Sequence, residues 1–275
     1  MTRKKDFFRS AAAAPHIVWM VLFIVAPLLF VIYYAFTDSE GKFTFDNITS
    51  LADYSETFLL SVCFAIIATV VCLLVAYPLA YAISRTGART QRALLMLAML
   101  PMWMNLLIRT YSMLAILDDG GFVNRLITSL GLPEIHFIGT PGAVIFGMVY
   151  NFFPYMLLPI YTSMSKMDVR LIEAAQDLGC NSVNVFKRVI LPLSVPGIIS
   201  GFTMVFVPAV STFYISQKLG SSGTTLIGDV IESQFKTAYN PNLGAALSLI
   251  LMVMIFICIG VMNRFGDEEE EVVTL

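Results

Sequence analysis

Six apolar runs of 19 to 26 residues, separated by more polar segments of 9 to 28 residues, constrain this chain more than any other feature. They are Ile17–Phe36, Phe58–Ile83, Ala93–Leu117, Ala143–Tyr161, Val189–Tyr214 and Leu243–Met262. A helix needs about 20 residues to cross a ~30 Å hydrocarbon core. Lipid offers no partner to a backbone N–H or C=O, so each run is expected to close its hydrogen bonds internally as a helix. The expected fold class is an all-α membrane protein with six transmembrane helices. Charge agrees: 13% of the 275 residues are charged, against about 25% in a typical soluble domain. The second, third and fifth runs exceed the minimum, which predicts tilt or extension beyond the bilayer. The fifth carries Pro192, Pro196 and Pro208, where kinks are expected.

Arg3, Lys4, Lys5 and Arg9 precede the first run as in a secretory signal. The run is long enough to span, and the small cluster Ala11–Ala14 lies before it rather than after. An uncleaved first helix is the expectation. Lys and Arg set the orientation. Twelve of the 17 fall at the N-terminus, around Arg85–Arg92, around Lys166–Arg188 and at Arg264. Lys42, Arg125, Lys218 and Lys236 fall on the other side, and Arg109 is left at membrane depth. The basic side is expected to be cytoplasmic, with both termini inside. The organisation is then a cytoplasmic segment 1–15, one six-helix transmembrane domain 16–263 with a cytoplasmic loop 163–190, and an acidic tail 264–275. Ten carboxylates face the four bases on the outer side, among them Asp229 and Glu232. That excess would favour a cationic ligand or a basic docking surface, although outer loops also lack bases for topological reasons alone. The acidic Asp267–Glu271 tail reads as a solvated, mobile end.

Several chemistries are disfavoured. Gly41-Lys42 lacks the upstream glycine of a P-loop, and Gly220–Thr225 lacks its lysine. No GxSxG or HExxH occurs, and His16 and His136 are the two histidines. Cys63, Cys72, Cys180 and Cys258 form no CxxC pair and read as reduced packing residues. Catalytic and metal residues are therefore expected to be none, with no nucleic-acid partner.

The 27-residue loop after the fourth run is the most informative stretch. Asp168 is placed to cap a short helix, and Leu171, Ala174, Ala175 and Leu178 share one side of it. Gly179 suits the left-handed position that ends a helix, and Asn181 or Ser182 the cap of the next. Ala174-Ala175 would let another surface approach closely, with Arg170 and Glu173 as charged anchors. Such a helix either docks on a cytoplasmic partner and transmits its motion, or rests on lipid headgroups.

Glu173-Ala174-Ala175, Gly179 and Leu191-Pro192 match the EAA loop of the MetI-like, type I permeases of bacterial ABC importers. That family's pattern is EAA, three residues, Gly, nine residues, then Ile-x-Leu-Pro; Val189 stands here for the isoleucine. The chain also resembles the first-permease branch of the spermidine/putrescine importers. Pro101–Tyr111, Asp119–Asn124, Val149–Pro154, Val207–Tyr214 and Leu226–Glu232 carry that likeness. The resemblance implies a six-helix permease of the inner membrane. Its loop would hold a coupling helix seated in a separate ATPase chain. ATP and magnesium would lie on that chain, with no cofactor here. The implied assembly has a second permease as a heterodimer partner, two ATPase copies and an extracytoplasmic polyamine-binding protein.

Polar and aromatic residues within the spans are expected to line a pathway, because burying them idly is costly. Asn105, Arg109 and Ser112 share a face of the third run, flanked by Trp103 and Tyr111. Tyr150, Asn151, Phe213 and Tyr214 join them, with Asp229 and Glu232 outside. Aromatic faces attract cations, but tyrosine and tryptophan also crowd membrane interfaces. Arg109 is expected to pair with a carboxylate or carbonyl and fix its helix. Alternatives are an ABC permease for another small solute, a secondary transporter acting alone, which would want inverted repeats and midplane acids, and a membrane enzyme.

Overall fold

A computed structural model describes residues 15–273. The basic residues 3–9 and the alanine cluster discussed above lie outside the described residues, as do the side chains of the acidic tail. The chain runs through α1 (Pro15–Ala35), α2 (Ser55–Ser84), α3 (Ala88–Met99), α4 (Leu106–Leu117), α5 (Phe122–Ser129) and α6 (Pro141–Ser165). It continues through α7 (Val169–Asp177), α8 (Ser182–Val210), α9 (Tyr214–Leu219), α10 (Ile227–Lys236) and α11 (Pro241–Val273). Among the described residues the one strand-like feature is an isolated bridge between Thr37 and Phe43.

Among the described residues five helical segments are long and apolar enough to cross a membrane, and the pair Ala88–Trp103 and Leu106–Ser129, bent by 95°, is a sixth when counted as one broken span. The expected continuous helix Ala93–Leu117 is therefore broken. Pro101 is the second residue of a short 3-10 turn, Leu100–Trp103, and Met104 is extended at φ −82°, ψ 145°. Asn105 Oδ1 then accepts from Leu107 N at 2.8 Å and starts α4 afresh. A proline without an N–H followed by an Asn that can cap offers the backbone an alternative to one helix. The fifth run also ends early, at Val210, with α9 beginning at Tyr214.

The fold divides into two compact units. One holds, of the described residues, 15–55 together with Val230–Val253. Here Asn242 Nδ2 donates to the Thr37 carbonyl at 2.6 Å, and Asn47 Nδ2 reaches the same oxygen at 2.8 Å. A buried amide is tolerated in apolar surroundings because its donors are satisfied.

The other unit holds Glu56–Asp229 and 254–273. Its centre is the seam between α6 and α8. A Cβ on Gly197 would sit 2.7 Å from Ser163 Cβ and 2.8 Å from the Pro159 carbonyl. Small residues let the two backbones approach, which is how membrane helices gain contact where lipid is as apolar as leucine. Ser163 Oγ donates across the seam to Leu193 O at 3.1 Å. Tyr77 on α2 and Ser194 on α8 share a hydrogen bond of 2.9 Å. Ser61 accepts from Ile227 N at 2.7 Å. The described cysteines are free thiols, with Cys72 buried.

Candidate coupling loop and translocation surface

The loop helix α7 is fixed by local chemistry at both ends. Asp168 Oδ1 accepts from Arg170 N at 2.9 Å. At the far end Gly179 takes φ +83°, a conformation that any Cβ strains. Its N–H reaches Gln176 O at 2.8 Å and Cys180 N reaches Ala175 O at 3.0 Å, closing the last turn. Asn181, of the two residues expected there, caps α8 by accepting from Asn184 N at 2.9 Å. A π turn over Phe186–Ile190 then precedes Pro192, which has no N–H to give to the turn before it.

Ile172 carries α7's inward contacts. It is buried with Val185 and Ile190 of α8, and Tyr81, Met167, Ala175, Cys180 and Val189 pack around the three. Each such side chain contributes roughly 1.5–3 kcal/mol when taken from water, so α7 and the start of α8 are clamped together. Sequence reading missed Ile172; its three-residue spacing to Ala175 was the available signal. The other face points away. Leu171 is 49% exposed and Leu178 86%, and Glu173 and Ala174 are exposed beside them. Of the stripe expected on one side of α7, Ala175 alone turns partly inward. Leu191 is exposed and Pro192 half-buried. An open groove of about 690 Å³ runs from Pro159 and Gly197 at the seam to Asp168 and Leu171 at α7.

α6 is 25 residues long, or ~37 Å at 1.5 Å per residue. At its other end a second cluster forms. Tyr111 of α4 and Tyr214 of α9 meet edge to face, with ring centroids 6.2 Å apart and planes at 78°. Lys218 Nζ lies 5.4 Å from the Tyr111 centroid and 5.9 Å from that of Tyr214. Lys218 entered the sequence reading merely as an outer base. Phe213 and Tyr150 are each 38% exposed.

The remaining pathway residues divide. Trp103, in the bend between α3 and α4, is exposed; Asn105 beside it spends its oxygen capping α4. Asn105, Arg109 and Ser112 do not form one exposed face: Arg109 is buried while Ser112 is exposed and bonded to Ile108 O. The acceptor expected for Arg109 is missing among the described residues, where its buried Nε and Nη1 have no hydrogen-bond partner. Tyr150 and Tyr155 are its electrostatic neighbours. Asn151 is buried, with Nδ2 donating to Gly147 O at 2.8 Å. Asp229, expected to face outward, is buried instead. Its Oδ1 accepts from Ser216 Oγ at 2.9 Å and its Oδ2 from Leu226 N at 2.7 Å. The carboxylate thus satisfies backbone at the start of α10, where an N–H would otherwise be orphaned. Glu232 pairs with Lys236 one turn on.

A helical membrane bundle with a capped, outward-facing loop helix between two closely packed spans has the architecture of ABC importer permeases. A chain of a bacterial ABC transporter involved in the import of the acidic polysaccharide alginate superimposes with a TM-score of 0.78 over 96% of each chain at 18% identity. The MetNI methionine ABC transporter gives 0.60 over 78% of this chain and 94% of that one, at 15% identity. The chain belongs to the family described as binding-protein-dependent transport system inner membrane component, whose pattern matches residues 76–266 and so includes α7. It is 37% identical over 267 residues to the spermidine/putrescine transport system permease protein PotB of Haemophilus influenzae, covering 94% of this chain and 93% of that protein. Escherichia coli PotB is 39% identical over 246 residues, 86% of this chain and 90% of that one.

Proposed function

We propose that this chain is one permease subunit of an ATP-driven importer that passes polyamines, spermidine or putrescine, from an extracytoplasmic binding protein to the cytoplasm. The observation that carries the reading is likeness along nearly the whole of both chains to permeases of that substrate class. The α7 end supports the coupling half of it. A leucine that is 86% exposed on a rigidly capped helix is a contact surface waiting for a partner. That partner is a cytoplasmic ATPase, one copy per permease, and a second, different permease chain completes the cavity. Glu173, Ala174 and Leu178 meet the ATPase, while Ile172 ties α7 to α8. ATP binding draws the two ATPases together and carries α7 with them. The Ile172–Val185–Ile190 contact passes the displacement to α8, and the Gly197 seam passes it to α6 as a rigid body. ATP and magnesium act on the ATPase chains. At the other end the exposed aromatics Tyr111, Phe213 and Tyr150, with the half-buried Tyr214, receive the cation.

The test is ATP hydrolysis by the co-purified complex in lipid nanodiscs, with binding protein plus spermidine, putrescine or neither. Stimulation by a polyamine is expected. Stimulation by a different solute would remove the substrate while keeping the class, and indifference to every loaded binding protein would remove both.

A further inference from the structure

The Lys218 side chain is four methylenes ending in an ammonium, and it lies against two tyrosine rings at 5.4 and 5.9 Å. Both distances fall inside the ~6 Å reach of a cation–π contact. Among the described residues Lys218 makes no ion pair with a carboxylate, and the two tyrosines, through ring and hydroxyl, are its charge partners. The rings are held from separate elements, α4 and α9, more than 100 residues apart in sequence. α9 is anchored beneath them, since Ile215 and Leu219 close on Gly147 of α6 within 2.8 Å of where its Cβ would be. Tyr111 is 51% exposed, so one side of the clamp is open to an incoming cation.

The geometry points to a cation subsite formed by Tyr111 and Tyr214, in which Lys218 is a tethered occupant that a primary alkylammonium must displace. The chemistry follows from the match. A 4-aminobutyl group, the end of putrescine and of spermidine, has the chain length and charge of the lysine side chain. Two ammonium groups cannot share the clamp without repulsion. Entry of substrate therefore expels Lys218, and departure of substrate lets it return. A cation pathway thereby keeps a positive side chain on hand that closes the subsite when empty. This rests on the polyamine reading above for the identity of the ligand, but not for the existence of the subsite.

Two measurements on the full complex in nanodiscs test it. The first is acetylation of Lys218 by an amine-reactive ester, read by mass spectrometry against exposed Lys42 and Lys236 in the same tube. Saturating n-butylammonium or putrescine should raise the Lys218 ratio about three-fold, the order of one exposed cation–π contact, and 1-butanol should leave it unchanged. The second is the KM of putrescine-driven ATP hydrolysis. Lys218→Met should lower KM about three-fold by removing the competitor, and Tyr111→Leu or Tyr214→Leu should raise it by a similar factor. Added to Tyr111→Leu, Lys218→Met should bring no gain. An unchanged labelling ratio while putrescine still drives hydrolysis would overturn the proposal, as would a Lys218→Met KM above that of wild type. A raised labelling ratio in a complex that putrescine does not stimulate would uphold the subsite and remove the polyamine reading instead.

Discussion

At one end of the α6–α8 pair, α7 is held by buried aliphatic contacts and by caps on both of its termini, and it turns two leucines outward. At the other end, exposed Tyr111 meets half-buried Tyr214 and Lys218, and the contacts include ring to ring and ring to cation. Apolar burial resists deformation and suits a part that must move as a block. Cation–π contacts are weak and exchangeable, which suits a part that must bind and let go. Between the two ends lies the close seam of Gly197 and Gly201 against α6.

The contrast can be broken by substitution, beginning with the largest effect. Ile172→Ala empties the loop's own core and should cost about 2–3 kcal/mol. Thermal unfolding of the complex should register it, with polyamine-stimulated ATPase lost as α7 uncouples from α8. Gly197→Ala forces a methyl to within 3 Å of Ser163 Cβ and the Pro159 carbonyl, and should cost about 1–3 kcal/mol. Its signature is a lower Tm with coupling weakened at both ends together. Gly179→Ala places a Cβ at φ +83° and should cost about 1–2 kcal/mol, with Gly179→Asn milder. Asn105→Ala removes the α4 cap at a cost of about 1 kcal/mol. It should leave the KM for putrescine unmoved, whereas a KM change would return Asn105 to the pathway. Leu178→Gln should change stability by less than ~0.5 kcal/mol yet reduce co-purification of the ATPase, because its side chain faces outward.

The parts legible in the sequence are those that local chemistry decides. The apolar runs, Asp168, Gly179 and Asn181 each act within four residues of themselves, and the structure uses them as helix bodies, caps and a left-handed stop. The third run misled because hydropathy averages across a break that Pro101 and Asn105 announce. An Asn directly before an apolar helical run is itself a cap signature. Asp229 misled for a different reason: its partners Ser216 and Leu226 become neighbours only in the folded chain. The Tyr111–Tyr214 pair was within reach as two separate aromatics, but Lys218 between them was not, since nothing local distinguishes it from other loop lysines. Burial likewise reassigned α7, where the conspicuous leucines face out and the less conspicuous Ile172 faces in.

The central claim is that α7 couples ATP hydrolysis on another chain to polyamine movement through this one. Its most direct test is accumulation of labelled putrescine in proteoliposomes carrying the whole complex, with binding protein on one side and ATP on the other. The account predicts ATP-dependent accumulation that Glu173→Ala with Leu178→Gln abolishes while this chain stays folded in the membrane. Accumulation that persists without the ATPase, or that survives the double substitution undiminished, would contradict it.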